Sequence, residues 1–186
     1  MADAKTLSRR RILIMATDGF EQSELEMPLE RLEAAGADVD VAALTDDDIT
    51  GWDGDDWGDE VEVDLTIAEV KVEDYDALVL PGGQINPDLL RVEDKAIAII
   101  RAFAAADKPI AAICHAPWLL IEAGLAKGKR MTSYKSIRTD VANAGAELVD
   151  EPVVIDGNLI TSRCPDDLPA FCDAIIDALA VAEAAA

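Results

Sequence analysis

Apolar residues in this chain fall into short unbroken runs, separated by longer stretches in which they recur every three or four positions. That alternation is the signature of buried strands interleaved with amphipathic helices. Residues 11–16, Arg-Ile-Leu-Ile-Met-Ala, read as a first buried strand, Thr17-Asp18-Gly19 as a turn, and residues 20–35 as a helix stopped by Gly36. A second strand over 39–44 completes a strand-helix-strand unit of the length a parallel pair requires. The unit repeats with a strand at 77–80, the tight loop Pro81-Gly82-Gly83, a helix over 94–106 and an apolar strand at 109–113. Beyond it the pattern predicts a helix closed by Gly124, a short strand at 130–134, a helix over 137–144 ended by Gly145, and a short strand at 147–149. A hairpin over 153–162 turns at Asp156-Gly157-Asn158, and a final helix starts near Asp166 or Asp167 with Pro169 in its first turn. The strict alternation of Val61-Glu62-Val63-Asp64-Leu65 predicts a half-exposed strand in a side hairpin. The fold class is α/β: a doubly wound, flavodoxin-like, mostly parallel sheet with helices on both faces and a small side β-hairpin.

The 186 residues fit one domain spanning 1–186, with residues 1–10 expected to be flexible and 181–186 a frayed tail. With 51% hydrophobic but only 4% aromatic residues, the core has to be built from Ala, Val, Ile and Leu. Sixteen Lys and Arg against 38 Asp and Glu leave a net charge of -22. Such a surface repels itself in dilute buffer and is tolerated in concentrated salt, where charges are screened within about 3 Å, so the expectation is a halophilic protein. No basic face is available for phosphate backbones, and nucleic acid is excluded as a partner. No apolar run approaches the roughly 18 residues of a membrane span, nor does the start of the chain read as a signal peptide. The expected location is therefore cytoplasmic, without a membrane partner, and with the three widely spaced cysteines reduced. The acidic stretch 46–60 lacks the spacing of a calcium loop, so no metal or cofactor is expected, and its Trp52 and Trp57 are expected to pack on something, such as a neighbouring subunit.

The chemistry concentrates at Cys114-His115, where an apolar strand meets a helical run with no turn residues between them. The backbone has to bend sharply there, exposing a sulfur beside free amides at a helix start, which favours the thiolate. His115 is the only histidine, but adjacent side chains at a bend diverge, so spacing alone does not bring its ring to the sulfur. In an open parallel sheet, ligands bind beyond the carboxyl ends of the strands. The segments expected at that edge are Asp18–Glu21, Gly82-Gly83, the Cys114 elbow and Ser162–Pro165. Glu21 has two readings: Asp18 and Glu21 have capping-box spacing, which explains it locally, and with this helix start beside the elbow Glu21 would hydrogen-bond the sulfur. Gly82-Gly83 serves equally as a plain turn or as a close-approach oxyanion donor.

Taken together, Phe20-Glu21-Gln22-Ser23-Glu24-Leu25, Asp76 through Gly83, Ala112-Ile113-Cys114-His115-Ala116-Pro117, Thr132-Ser133-Tyr134 and Thr161-Ser162-Arg163 resemble the motifs of the PfpI/ThiJ superfamily, from about Ile12 to Leu179. The resemblance implies Cys114 as nucleophile, His115 as its imidazole partner, Glu21 as the acid contacting the thiol, and the Gly83 and His115 amides as the oxyanion hole. It also implies Gly82, Tyr134 and Arg163 at the substrate, and Asp88 of a neighbouring subunit as the acid orienting the histidine. The active site would then lie near an interface of a homo-oligomer, a dimer or trimer of dimers. Ala116 stands where the family usually has Gly, Asp88 is shorter than the Glu often found there, and Cys164 is a departure. The implied function is a cysteine hydrolase of peptides or of glyoxal-derived adducts, taking a small-molecule or peptide substrate (protease, deglycase or glyoxalase-like). The alternative is a non-enzymatic redox-sensing or chaperone-like stress protein using an oxidisable Cys114. A glutaminase domain fits less well, because no histidine follows His115.

Overall fold

A computed structural model of the chain describes residues 7–184, with side chains through residue 180. In chain order the elements are β1 (Arg11–Met15), β2 (Phe20–Glu21), α1 (Gln22–Ala34), β3 (Asp38–Ala43), β4 (Ile49–Asp53), β5 (Asp56–Val61), β6 (Leu65–Thr66), β7 (Ala77–Leu80), α2 (Ile85–Leu90) and α3 (Asp94–Ala105). They continue with β8 (Ile110–Ile113), α4 (Pro117–Glu122), β9 (Arg130–Met131), α5 (Arg138–Asn143), β10 (Glu147–Leu148), β11 (Val153–Asp156), β12 (Leu159–Ser162) and α6 (Leu168–Ala184).

Seven strands form the central sheet in the order β11-β12-β8-β7-β1-β3-β6. Every pairing is parallel except the β11–β12 hairpin at one edge. Alternation along each strand divides the core between the two faces. Leu13, Met15, Leu78 and Leu80 pack with Phe103 of α3 and Leu119 and Leu120 of α4, whereas Ile12, Ile14, Val79 and Ile113 pack with Leu25 and Leu32 of α1 and Phe171 and Ile175 of α6. The doubly wound mixed α/β fold expected from the pattern is the one observed. Strand order reverses between β1 and β7, so the loops after β1, β7, β8 and β12 surround one crevice at the carboxyl edge.

Several local expectations change. The first helix starts at Gln22 rather than Phe20 because residues 18–21 are tied to the acidic segment instead. Gly19 N–H donates to Thr50 O, the Asp18 carboxylate accepts from Thr50 N–H at 2.8 Å, and Phe20–Glu21 pair with Gly51–Trp52. No capping box forms. The side hairpin lies inside the acidic stretch, as β4 and β5, while β6 joins the edge of the main sheet next to β3. Trp52 and Trp57 pack on each other edge to face at 5.5 Å. Helix α2 was not expected. Residues 7–10 are docked rather than flexible: Leu7 is fully buried, its N–H bonds Ala35 O, and Arg10 pairs with Asp76 at 3.0 Å. The expectations for residues 1–6 and 185–186 lie outside the described residues, and the helical backbone of α6 continues to Ala184. Among the described residues, no helix is long and apolar enough to cross a membrane.

Candidate active site

Strand β8 ends at Ile113, and α4 begins at Pro117, leaving Cys114, His115 and Ala116 to turn the chain. Cys114 takes φ +63°, a left-handed conformation uncommon for a residue with a side chain. The elbow is pinned from both sides: Cys114 N–H donates to Ser162 O at 3.1 Å, and its carbonyl accepts from Tyr134 N–H at 2.8 Å. Beyond β7, Gly83 (φ +78°) approaches so closely that a Cβ there would lie 2.5 Å from Gly19 O and 2.6 Å from Glu21 N. The glycine is needed for that contact, and it brings an N–H to the sulfur. The amides of Gly83 and His115 both hydrogen-bond Cys114 Sγ, in the arrangement expected of an oxyanion site.

His115 Nδ1 lies 3.2 Å from Cys114 Sγ. The elbow conformation folds the two adjacent side chains toward each other, where a regular bend would separate them. The ring stacks on Tyr134 at 4.8 Å and meets the edge of Trp118 at 5.3 Å. Trp118 is anchored in turn by Asp140 at 2.9 Å, with Arg91 over its ring. Ser136 Oγ is 2.9 Å from His115 Nε2. Burial pushes the imidazole's pKa below its usual value, so the ring is neutral at pH 7 and able to accept a proton.

The acid at the sulfur is Glu24, not Glu21. Glu24 is fully buried on the inward face of α1, its Oε2 accepts from Gly82 N–H at 2.9 Å, and it hydrogen-bonds Cys114. Glu21 is half-buried on the cavity wall, with Ser23 Oγ 3.4 Å from its Oε1. The shift by one helical turn follows from the later helix start: Glu21 ends β2, and Glu24 occupies the first inward-facing turn. Desolvation, helped by the charge of Glu21, raises the Glu24 pKa to about 8. It is therefore protonated at neutral pH, and its Oε1 is buried without a hydrogen-bond partner among the described residues. The expected thiolate preference of the elbow is overridden by the surroundings: desolvation, then the Glu24 carboxylate, push the Cys114 thiol up, against the two amides that pull it down. Protonation of Glu24 removes its charge from beside the sulfur and leaves desolvation opposed by the two amides.

A cavity of about 520 Å³ opens over the sulfur, walled by Glu21, Trp52, Gly83, Tyr134, Ser136 and Pro165 among others. Gly82 does not reach it as a substrate contact, because its N–H is taken by Glu24 and it is packed against Cys114. Arg163 lies instead on an adjoining cavity with Cys164, bonded to Asp167 at 2.8 Å. Asp88 is exposed on α2 beside Gln84 and Trp118 and is not among this cavity's walls; His115 Nε2 has Ser136 as its partner. Glu24, Ser136 and Trp118 were missed from sequence. Of these only Glu24 carried a signal, as an acid interrupting the apolar stripe Leu25, Pro28 and Leu32 of α1. Among the described residues, no three His, Cys, Asp or Glu side chains group to hold a metal ion.

The model of the DJ-1/PfpI family matches residues 10–178. The chain is 45% identical over 161 residues to the deglycase PfpI of Pyrococcus furiosus, covering 87% of this chain and 94% of that protein. It is 42% identical over 164 residues to protein/nucleic acid deglycase 2 of Escherichia coli, covering 87% and 93%. The crystal structure of Drosophila melanogaster DJ-1beta superposes with a TM-score of 0.85 at 33% identity, over 94% of this chain and 91% of that one. A left-handed cysteine elbow beside a buried glutamic acid, on a doubly wound sheet matched along nearly its whole length, makes this chain a member of the DJ-1/PfpI family.

Proposed function

We propose that the protein is a cysteine-dependent hydrolase acting on the adducts that glyoxals form with amines and thiols. The observation that carries this reading is the convergence on one sulfur of His115 Nδ1 at 3.2 Å and the amides of Gly83 and His115, beside the acid Glu24. The naming of similar proteins as deglycases supports the substrate class. Cys114 gives its proton to His115 as Sγ bonds to the adduct carbon and the bond from that carbon to the amine or thiol breaks, and the amides of Gly83 and His115 are placed to hold the oxygen that gains charge when water later attacks the thioester. His115 returns the proton to the departing amine or thiol. A proton shift between the two glyoxal carbons oxidises the carbon on sulfur and reduces its neighbour, giving a thioester without an external oxidant. Water then cleaves it to a hydroxy acid and restores the thiol.

Asp88 completes the site from a second copy of the chain in this reading. It is solvent-facing on α2, flanked by the exposed Ile85, Leu89 and Val92, the last 75% exposed. The test is turnover of the methylglyoxal hemithioacetal, of an aminocarbinol and of a fluorogenic peptide by wild type and Cys114→Ser, with sedimentation of both. Hydroxy-acid release by wild type alone is expected. Turnover only of the peptide replaces the adduct reading with a peptidase. The buried acid and the two amides would equally hold the oxygens of an oxidised sulfur. Absence of all turnover, with selective oxygen uptake at Cys114 under mild peroxide, replaces the hydrolase with a redox sensor.

A further inference from the structure

The cavity over Cys114 is unbalanced in charge. Among the described residues that wall its 520 Å³ there is no lysine or arginine, and Glu21 is the only carboxylate. Lys135 and Arg163 line the adjoining cavity instead, and Arg163 is bonded there to Asp167 and Asp150. Glu21 is half-buried and has no cationic partner among the described residues; its Oε1 accepts only from the neutral Ser23 Oγ, at 3.4 Å. Burial pushes its pKa up, the Ser23 hydroxyl pulls it back, and the charge of Asp53 adds to the push. A cation arriving beside this carboxylate would offset both its lost hydration and the repulsion from Asp53.

Trp52 stands next to it. Strands β2 and β4 pair with Glu21 opposite Trp52, residues paired across neighbouring strands project from the same face, and both line the cavity. The Trp52 indole N–H is already used, donating to Gly54 O at 2.9 Å, and the ring rests edge to face on Trp57 at 5.5 Å. The side chain therefore offers the cavity ring surface and no hydrogen-bond donor. Bonds on either side of β2 hold the pair in place: Gly19 N–H donates to Thr50 O at 2.8 Å, and Gln22 exchanges two bonds with Asp59 of β5, at 2.7 and 3.2 Å. A carboxylate without a counterion beside an aromatic ring suits an ammonium or guanidinium group, which pairs with the oxygens and is attracted to the π face. The same carboxylate repels an anion.

We propose that Glu21 and Trp52 select the leaving half of the adduct by its charge, favouring amines that carry a further positive group and rejecting amines and thiols that carry a carboxylate. Resting on the hydrolase reading, this narrows the substrate class to glyoxal adducts of cationic amines, such as a diamine or a lysine- or arginine-bearing peptide. The acidic hairpin thereby has a part in the site, because β4 brings Trp52 to the wall beside Glu21.

The test does not need turnover. The full chain is treated with three alkylating probes from which Cys114 displaces bromide: (2-bromoacetamidoethyl)trimethylammonium, its uncharged isostere N-(3,3-dimethylbutyl)bromoacetamide, and the anion N-bromoacetyl-β-alanine. Molar potassium chloride screens the overall charge of the chain beyond about 3 Å. Labelling of the Cys114 peptide is followed by mass spectrometry, and rates are compared as ratios to the isostere. The ratios cancel any change in the sulfur's own reactivity, which loss of the Glu21 charge brings through Glu24. Wild type is expected to react with the cation about fivefold faster than with the isostere, the gain from one partly solvated ion pair and a ring contact, and more slowly with the anion. Glu21→Gln should bring the cation ratio close to one, Trp52→Leu should lower it part way, and Trp52→Phe should keep it. Glu60→Gln, which removes an exposed carboxylate from β5 outside the cavity walls, should leave it unchanged. Equal rates in wild type, a faster anion, a preference that survives Glu21→Gln, or an equal loss in Glu60→Gln overturns the proposal. A preference abolished by Glu21→Gln, combined with absent turnover of every adduct, retires the hydrolase reading and leaves a cation-selective cavity over a reactive sulfur.

Discussion

Glu24→Gln separates the chemical role of the buried acid from its thermodynamic one. Gln has the same shape, keeps an oxygen for Gly82 N–H, and cannot ionise. In wild type the carboxyl binds its proton up to about pH 8, against an ordinary value of 4.5. Between those values the unfolded chain has lost a proton that the folded chain retains. Stability is then fully present below pH 4.5 and falls with rising pH, by about 1.4 kcal/mol per unit. The fall amounts to roughly 5 kcal/mol over the window, of which roughly 3 kcal/mol is gone by pH 7. Because the carboxyl is fully buried, solvent screening does not dilute the effect. His115, pushed below its usual value, loses stability in the opposite direction as pH falls, but it is common to both proteins and cancels in the difference. Urea unfolding of wild type and Glu24→Gln at pH 5, 6, 7 and 8 in constant molar salt reads that difference directly. The variant is expected to gain on wild type with each step and to be roughly 3 kcal/mol more stable at pH 7, while Cys114 alkylation and turnover fall. Parallel stability profiles would mean that Glu24 keeps an ordinary pKa and that its proton is not available to the sulfur.

Gly83→Ala should fail to fold or lose roughly 3 kcal/mol or more, because its Cβ would lie 2.5 Å from a backbone oxygen at φ +78°; an unchanged urea midpoint would contradict the close approach. Ser136→Ala and Asp88→Ala form a pair that asks which group orients His115. Ser136 Oγ is 2.9 Å from Nε2 within one chain, so its loss is expected to lower kcat about fivefold, one hydrogen bond's worth, with the melting temperature unchanged. Asp88→Ala is expected to cut kcat more deeply, while native mass spectrometry shows the same assembly; full activity removes the neighbouring subunit's acid from the site. The net charge of -22 predicts that the urea midpoint rises with potassium chloride up to molar concentrations and then levels. A midpoint independent of salt would refute the reading of the acidic surface as an adaptation to salt.

The central sheet was legible because each of its main strands announces itself locally. Runs of four or five apolar residues such as 12–16, 77–80 and 109–113, bounded by Gly, Pro or a charged turn and too short for a helix, read as buried strands when helical stretches intervene. The crevice followed from the same pattern, since parallel connections place all carboxyl ends on one edge. Helix α2 was hidden because its sequence Ile85-Asn86-Pro87-Asp88-Leu89-Leu90 reads as a loop with a proline. Its hold on the site is the buried Asn86, which donates to Pro81 O and Gly82 O and accepts from Thr17 N–H, the last a bond to a loop distant in sequence.

The exchange of Glu21 for Glu24 shows where local reasoning stops. Asp18 and Glu21 satisfy a capping pattern on their own, and nothing in that segment reveals that Thr50 takes the Asp18 carboxylate and turns residues 20–21 into strand. Once the helix is started at Gln22, the inward stripe runs through Glu24, Leu25, Pro28 and Leu32. A carboxylic acid in that stripe is a local violation, a charged-type residue at a core position with no cation opposite. Titratable groups with strongly shifted pKa values and violations of local pattern of this kind concentrate at functional sites. On that ground the misfit at Glu24, more than the fit at Glu21, points to the acid that the structure places beside the sulfur. The same physics orders the rest of the site: His115 and Gly83 were found because the elbow and the glycine turn are backbone features written in adjacent residues. Ser136 was not, because its relation to Cys114 exists only after β8 and the segment leading into α5 have been brought side by side.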